Sequence, residues 1–279
     1  MARKAPLSRR ISLNTLGVVF ALLWVFPVYW LVSSAFSPES ALQSRTPSFF
    51  PVPFTLEHFQ SILADGAFYS ALRMSFFTAL LVVLAAIVFA FFASLALSRF
   101  RFRGRRALIV SVLVIQMIPA EALFISQYKM IDGWHLLNSI LGLSILYVGA
   151  SLPFTIWMLK GFVDGIPVEL EEAAMIDGCS RMGAFFRVNF PLLGSGIVAS
   201  SIFAFLASWN EYTLSLVLLS SDNAKTLPLW MQGFSTQLAG TNWGGVMADS
   251  TLMAVPVIIL FAIVQKRMAQ GLVAGAVKG

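Results

Sequence analysis

The run MSFFTALLVVLAAIVFAFFASLALS, from Met74 to Ser98, contains no charged residue and exceeds the roughly 20 residues that a helix needs to cross a membrane. Composition extends this argument to the whole chain of 279 residues. Hydrophobic residues make up 58% of it and charged residues only 11%, whereas soluble domains carry about 25% charged residues. The sequence therefore predicts an all-α integral membrane protein.

Several other apolar runs approach or exceed spanning length. We predict six transmembrane helices, at residues 13–34, 71–97, 107–127, 136–159, 192–219 and 246–264. The segment 36–67 contains four prolines and is predicted to be an external loop with one short helix near Leu56 to Leu63. A second external loop is expected at 220–245. These spans and loops account for the length, so we expect a single transmembrane domain over residues 1–279.

The distribution of cations predicts the orientation. Six spans place both termini on one side, and with that side cytoplasmic, 15 of the 19 Lys and Arg residues lie inside. Only Arg45, Arg73, Lys129 and Lys225 then lie outside. Because Lys and Arg accumulate in short cytoplasmic loops, we expect both termini, and the loop between spans 4 and 5, to be cytoplasmic.

The sequence lacks the residues that several functions would require. The single cysteine, Cys179, cannot form an internal disulfide, and the two histidines, His58 and His135, are predicted in loops. No phosphate-binding loop of the Gly-x4-Gly-Lys-Ser/Thr type is present, so this chain is not expected to bind ATP. It contains no metal-ligand spacing, and we expect no metal or other cofactor in it. The net charge of +6 comes from cations beside the spans, including the basic turn 99–106, which indicates contact with anionic lipid rather than nucleic acid.

The loop after span 4 contains start and stop signals for two short helices. Its sequence is ELEEAAMIDGCSRMGAFFRVNFP, at residues 169–191. Pro167 suits the first position of a helix, and the acidic residues that follow favour its first turns. Gly178 is placed to end this helix in a left-handed cap. Ser180 is placed to cap a second helix through Arg187, and Pro191 to restart the chain as span 5. An amphipathic helix on the lipid surface is the alternative, but such helices are usually rich in Lys and Arg. The acidity therefore favours docking of a soluble partner.

The spacing of Glu172-Ala173-Ala174, Gly178 and Val188-x-Phe190-Pro191 resembles the signature loop of ABC importer permeases. Residues 175–178, 209–211 and 271–279 resemble the carbohydrate branch, in particular the second permease of maltose-type importers. The resemblance implies a type I (MetI-like) permease fold, with a core at 70–266 and a coupling loop at 161–190. It also implies that this loop contacts the ATPase, where Glu172 pairs with an arginine. The residues expected to form the docking surface are Glu169, Glu172, Ala173, Ala174, Asp177 and Gly178.

The same resemblance implies the rest of the assembly. This chain would pair with a homologous permease, two ATPase subunits that bind ATP and Mg²⁺, and an external solute-binding protein, in a bacterial inner membrane. The solute would be a sugar, an oligosaccharide or a polyol derivative. The chain itself would have no catalytic residue.

Four polar residues within predicted spans are candidates for the translocation path. They are Asn210, Glu211, Glu121 and Gln116. A carboxylate at the centre of a membrane helix is costly and usually faces a cavity or a partner helix. Two alternatives remain open, because Glu211 also suits a position near the external interface and Glu121 a hydrogen bond between helices. Asp249 is expected at the outer rim of span 6.

Two other classes of protein compete with the importer. An ion-coupled secondary transporter would need no ATPase, but more ionisable groups within its spans than Glu121 and Glu211. A membrane enzyme would need a catalytic constellation, and none is recognisable in this sequence.

Overall fold

The structure is a computed structural model that describes residues 7–46, 48–236 and 240–276, with side chains for 11–46, 48–235 and 240–265. Nearly all regular structure in these residues is helical, as predicted. The α-helices are, in chain order, α1 (Leu7–Ala35), α2 (Glu39–Leu42), α3 (Glu57–Ala64), α4 (Gly66–Arg99), α5 (Arg105–Ile115), α6 (Phe124–Gly133), α7 (Ile140–Asp164), α8 (Glu169–Ile176), α9 (Arg181–Ala184), α10 (Phe190–Leu192), α11 (Gly194–Trp209), α12 (Thr213–Leu218), α13 (Leu227–Met231) and α14 (Trp243–Ala276).

Shorter elements complete the fold. Two 3₁₀ turns lie at Ala120–Leu123 and Gln232–Phe234, and a π-helical turn lies at Phe185–Asn189. A two-stranded antiparallel hairpin, β1 (Ser235–Thr236) with β2 (Gly240–Thr241), interrupts the loop before α14.

Four helices are long and apolar enough to cross a membrane. Their spanning parts are Ile11–Ala35, Gly66–Arg99, Ile140–Asp164 and Trp243–Gln265. Two further pairs of helices pass the same criteria together but are bent, by 95° between Arg105–Ile115 and Ala120–Gly133 and by 70° between Arg181–Leu192 and Gly194–Trp209. The described residues therefore contain four spans, or six if each bent pair counts as one. Each predicted span overlaps one of these helices or bent pairs. The pair over the third span continues beyond 127 to Gly133, and the pair over the fifth begins at Arg181, inside the predicted cytoplasmic loop, and ends at Trp209 rather than at 219.

The third span differs from the prediction of one helix over 107–127. Helix α5 ends at Ile115, and regular structure resumes only at Ala120. Pro119 supplies the reason, because it has no N–H to donate and disfavours a helical conformation at the residue before it. The prediction of a loop around Lys129 to Trp134 is also wrong over most of its length, because α6 continues to Gly133.

The fifth span is also interrupted. Helix α11 ends at Trp209 and α12 begins at Thr213, so Glu211 lies between helices rather than inside one. Pro191 does not restart the chain after a break, because α10 includes it. The π-helical turn directly before α10 already departs from regular helical hydrogen bonding, which accommodates a residue without an N–H.

The described residues divide into two compact units. The first comprises the chain up to Gly66 together with Met231–Pro256. Within it the Glu39 carboxylate accepts the backbone N–H groups of Trp243 and Gly244, at 3.2 and 2.8 Å. His58, predicted in a loop, is buried on α3, where its Nε2 lies 3.0 Å from the carbonyl oxygen of Ser37.

Asp249 also belongs to the first unit. It was expected at an exposed rim, but it is fully buried in the second turn of α14. Neither carboxylate oxygen has a hydrogen-bond partner among the described residues. A buried carboxylate without a partner lowers stability.

The second unit, Ala67–Trp230 together with the chain from Val257, holds the candidate sites. One apolar cluster of this unit packs residues of α4, α7 and α12 together, including Val82, Leu143 and Leu218. Helices α7 and α11 approach closely at Gly196, where an added Cβ would lie 2.5 Å from the Phe162 ring. Any larger residue at position 196 would therefore separate the two helices.

Candidate functional site

Helix α8 is a short acidic helix that begins at Glu169, so Pro167, predicted at its first position, lies two residues before it. Its first turn contains Glu169, Glu171 and Glu172, where negative charge is favoured by the helix dipole. At its other end Gly178 has a φ of +89°, as predicted for a left-handed cap. The Gly178 N–H donates to the carbonyl of Met175 (3.1 Å) and the Cys179 N–H to that of Ala174 (3.0 Å), which is the complete Schellman pattern.

The chain then turns into a second short helix. The Ser180 hydroxyl accepts the N–H of Gly183 at 3.1 Å, so the predicted N-cap is confirmed. The helix expected through Arg187 is α-helical only to Ala184 and continues as the π-helical turn. Residues 169–192 are thus ordered throughout by backbone hydrogen bonds and caps.

The structure exposes most of the predicted docking residues. Exposed side chains or backbone are found at Glu169, Glu172, Ala173, Asp177 and Gly178, and Ala174 is half-buried. Exposed apolar side chains lie between these residues. They are Val168, Leu170, Met175 and Ile176, the last with 86% of its surface accessible. The surface of α8 therefore combines negative charge with apolar area, rather than a flat strip of alanines alone.

Glu171 differs from its two acidic neighbours because it is buried. Its Oε1 accepts hydrogen bonds from Nε of Arg99 and, at 2.7 Å, from Nδ2 of Asn189. The Arg99 guanidinium also donates to the carbonyl oxygen of Ile166 at 2.8 Å. These partners are more than fifteen residues away in the chain, and no spacing in the sequence identifies them.

A cavity of about 160 Å³ lies mainly between α7 and α11, and it reaches the end of α5 and the gap between α11 and α12. Its walls are formed by Gln116, Tyr147, Ala150, Ser151, Phe154, Phe203, Ala207, Ser208, Glu211 and Leu214. A second cavity, of about 500 Å³, shares three of these residues, namely Gln116, Ala150 and Leu214. Backbone that leaves the helical conformation within a membrane is tolerated where it lines a cavity or is buried in protein.

The cavity wall contains both polar groups and aromatic rings. The rings of Phe154 and Phe203 lie with their centroids 4.0 Å apart. The Ser208 hydroxyl is buried and has no partner among the described residues. The Gln116 side chain is exposed at the break after α5 and lines both cavities. The arrangement can therefore offer hydrogen bonds and an apolar face to a small polar molecule.

Glu211 has a structural role in addition to its position at the cavity. Its Oε1 accepts the N–H of Leu214 at 2.7 Å, and its Oε2 accepts the N–H of Ser215 at 3.2 Å. The Tyr147 hydroxyl donates to the same Oε2. The carboxylate thus satisfies donors in the first turn of α12, which would otherwise lack partners within the helix.

The other two residues predicted for the path lie elsewhere. Asn210 is exposed, and its Nδ2 donates to the carbonyl of Leu206 at 2.9 Å, at the end of α11. Glu121 is exposed on a 3₁₀ turn, and neither cavity includes it. The structure therefore brings Gln116 and Glu211 together and separates Asn210 and Glu121 from them. Tyr147, Ser151 and Ser208 also line the smaller cavity, although the sequence does not distinguish them from other residues in apolar runs.

Side chains that could hold a metal ion do not cluster in the described part of the chain, where no group of three or more His, Cys, Asp or Glu residues is found.

Comparisons with known proteins agree over nearly the full length. The family model described as "Binding-protein-dependent transport system inner membrane component" matches residues 83–273. The chain is 42% identical to the Diacetylchitobiose uptake system permease protein DasC of Streptomyces coelicolor, over 99% of this chain and 100% of DasC. It is 31% identical to the Trehalose/maltose transport system permease protein MalG of Thermococcus litoralis, over 97% of this chain and 98% of that protein.

A solved structure confirms the predicted fold class. It is a crystal structure of a bacterial ABC transporter involved in the import of the acidic polysaccharide alginate. One of its chains superposes with a TM-score of 0.78 at 23% identity, over 95% of this chain and 99% of that one. The MetI-like fold of ABC importer permeases is therefore shared along the chain.

Proposed function

Because this chain belongs to the family of binding-protein-dependent transport system inner membrane components, it is a permease subunit of an importer, and we propose that a separate ATPase drives it through the exposed surface of α8. The proposal rests on an acidic helix, capped at its end by Gly178, in which Glu169 and Glu172 are exposed. A polar segment ordered in this way between two spans is well suited to bind a soluble partner.

The proposed docking surface consists of Glu169, Glu172, Ala173, Ala174, Asp177 and Gly178. Glu172 is the expected partner of an arginine, because its exposed carboxylate can form a charge-assisted hydrogen bond once a protein surface covers it. Ile176 and Leu170 supply apolar area beside the charges, and interfaces of this kind combine a desolvated apolar centre with charged groups.

We propose a carbohydrate as the solute. DasC and MalG are named for the uptake of diacetylchitobiose and of trehalose or maltose, and both are similar to this chain from end to end. The smaller cavity supports this class, since Gln116 and Ser208 offer polar groups beside the rings of Phe154 and Phe203. Binding sites of this kind combine a mostly apolar wall with a few polar groups that orient the ligand.

The cavity also marks the proposed translocation path. It reaches the points where two spans are interrupted, and discontinuous helices form solute sites in other membrane transporters. Residue 116 is the twelfth from the start of α5 at Arg105, about 16 Å along the helix at 1.5 Å per residue. Gln116 and Glu211 therefore remain candidates for the path, whereas Asn210 and Glu121 have no place in the cavity wall.

The proposed assembly contains a homologous permease, two ATPase subunits and an external solute-binding protein. ATP and Mg²⁺ would be held by the ATPase subunits, and this chain would contribute no catalytic residue. The protein would lie in a bacterial inner membrane with its termini and α8 on the cytoplasmic side, as the cation distribution predicts. Family membership favours this assembly over the ion-coupled secondary transporter.

Reconstitution of the four kinds of subunit into vesicles tests the proposal. We expect ATP hydrolysis and solute uptake to rise together when the loaded binding protein is added outside, and a panel of oligosaccharides identifies the solute. Uptake that follows an ion gradient without ATP would contradict the proposal. Co-purification of the ATPase with this chain from detergent provides an independent check of docking.

A further inference from the structure

We propose that Arg99 and Glu171 are positioning residues that make α8 move as one body with the membrane-spanning helices. This inference rests on the proposed docking of an ATPase at α8 and assigns the step that follows docking. The contacts of Arg99, Glu171 and Asn189 are called the Arg99 joint below.

The joint connects three separate parts of the chain. Arg99 is the last residue of α4, Glu171 lies in the first turn of α8, and Asn189 ends the π-helical turn that leads through α10 to α11. Both Arg99 and Asn189 donate to the same carboxylate oxygen of Glu171. Arg99 also donates to the carbonyl of Ile166, in the turn just before α8. One guanidinium therefore holds both the helix and the chain segment that enters it.

The side chains of the joint are buried. The side chains of Arg99 and Glu171 are only 7% and 11% exposed, and Asn189 is fully buried. Ion pairs withdrawn from water are screened little by salt, and removal of either partner leaves a charge without compensation. The planar guanidinium fixes the directions of its hydrogen bonds, which a lysine at the same position cannot do.

A series of polar contacts links the Arg99 joint to a further membrane-spanning helix, α7. The Arg99 guanidinium lies 3.5 Å from the Ser98 hydroxyl, which donates to the carboxylate of Asp164 at the end of α7. Lys160, one turn earlier on α7, pairs with the same carboxylate. The ends of α4 and α7 and the segment leading to α11 are thus all linked to α8.

The acidic residues of α8 point in different directions, so different residues can bind the ATPase and transmit its movement to the spans. Successive residues on a helix point about 100° apart, so Glu171 faces the spans while Glu169 and Glu172 are exposed. A force applied by a partner at the outer acids reaches the spans through the inner acid. The basic turn 99–106, expected to serve as a lipid anchor, therefore begins with a residue that points into the protein.

A second contact supports this reassignment of the basic turn. The Arg181 guanidinium lies over the ring of Phe100, 4.5 Å from its centroid. The turn after α4 and the start of α9 are thus in contact beside the joint. Arg101 and Arg103, by contrast, are exposed and remain available for lipid headgroups.

The test uses the complete reconstituted complex and measures solute molecules taken up per ATP hydrolysed. For Arg99→Met we expect co-purification of the ATPase to persist while uptake per ATP falls about tenfold, within the usual range of coupling between sites. Arg101→Met removes an exposed cation from the same turn and should leave the ratio unchanged. Glu171→Gln retains an acceptor for Asn189 and should give an intermediate ratio.

A double variant keeps the proposal testable if the single variant is unstable. Arg99→Met with Glu171→Leu removes both buried charges, which proteins often tolerate better than the loss of one. A normal ratio of uptake to ATP in either variant would overturn the proposal. So would loss of ATPase binding equal to that of Glu172→Ala, since it would place these residues in docking or folding. Failure of the unmodified complex to couple solute to ATP would instead refute the proposed function.

Discussion

The hydroxyl of Tyr147 donates to the carboxylate of Glu211, and this contact joins α7 to the point where the fifth apolar segment is interrupted. The same carboxylate accepts the backbone N–H groups of Leu214 and Ser215. A single acid therefore closes the gap between α11 and α12, satisfies the first turn of α12 and lines a cavity. The gap between α11 and α12 is therefore stabilised by specific hydrogen bonds.

Loss of this carboxylate is expected to destabilise the protein. Glu211→Ala leaves the N–H groups of Leu214 and Ser215 without this acceptor, at a cost of about 1–2 kcal/mol, whereas the Tyr147 hydroxyl still reaches the Ser215 hydroxyl at 3.0 Å. Thermal unfolding of the purified protein in detergent measures the effect. Asn210→Ala, next to it but exposed, serves as the control, and an equal melting temperature for both variants would show that the cap contributes nothing.

Docking of the ATPase is expected to depend on Glu172. Glu172→Ala should reduce co-purification of the ATPase and solute uptake by about tenfold, the effect of one contact worth about 1.4 kcal/mol. Glu57→Ala removes a similarly exposed acid from the first turn of α3 and should change neither quantity. Unchanged co-purification of Glu172→Ala would remove this residue from the docking surface.

The left-handed backbone at Gly178 predicts a specific requirement for glycine. Gly178→Ala places a Cβ at a φ of +89°, which costs about 1–2 kcal/mol, and should shift the end of α8 enough to lower ATP-driven uptake. The control is Gly161→Ala, because a Cβ there meets open space within α7. Gly178→Asn should retain more uptake than Gly178→Ala, since asparagine tolerates this conformation better. Equal uptake by all three variants would be inconsistent with this role for the cap.

The smaller cavity predicts effects on solute passage that leave docking intact. Gln116→Ala and Phe203→Ala should each raise the solute concentration for half-maximal uptake severalfold, since a hydrogen bond or an apolar face is worth about 1 kcal/mol. ATPase co-purification should not change. Val110→Ala, on α5 but outside the cavity wall, should behave like the unmodified protein. If both cavity variants transport normally, the path lies elsewhere.

Removal of the buried charge at Asp249 is expected to stabilise the protein. Asp249→Asn keeps the shape of the side chain and removes a carboxylate whose oxygens have no partner among the described residues. The expected gain is about 1–3 kcal/mol, seen as a higher melting temperature. Asp222→Asn, at an exposed position, should cause no comparable gain. A lower melting temperature for Asp249→Asn would reveal a stabilising contact of this acid in the assembled protein.

The parts of the fold that follow from local rules are predictable from the sequence. The apolar segments lie where hydropathy places them, and the resemblance to carbohydrate importer permeases is confirmed by the family match and by DasC. The caps at Gly178 and Ser180 also follow from residue type and spacing. In each case the deciding interaction lies within a few residues of chain, so the sequence alone carries the information.

The breaks in the third and fifth segments are less visible to such rules. Hydropathy averages over about twenty residues, so neither the end of α5 before Pro119 nor the gap at Glu211 lowers it enough to indicate two helices. Proline gives a signal for the first break. The second is stabilised by Tyr147, which is 64 residues away along the chain. A contact at that distance cannot be inferred from the properties of either residue.

By itself the sequence determined a membrane-embedded helical permease with an acidic, capped helix between two spans. Those features depend on apolar run length and on preferences of single residues, which operate before the chain packs. Only the tertiary structure decided which acid of that helix faces inward. Glu171 and Glu172 are identical in type and adjacent in sequence, and they differ because Arg99 and Asn189 lie on one side of the helix and solvent on the other. Burial of the pair is a property of the packed helices, and so is the coupling that we assign to it.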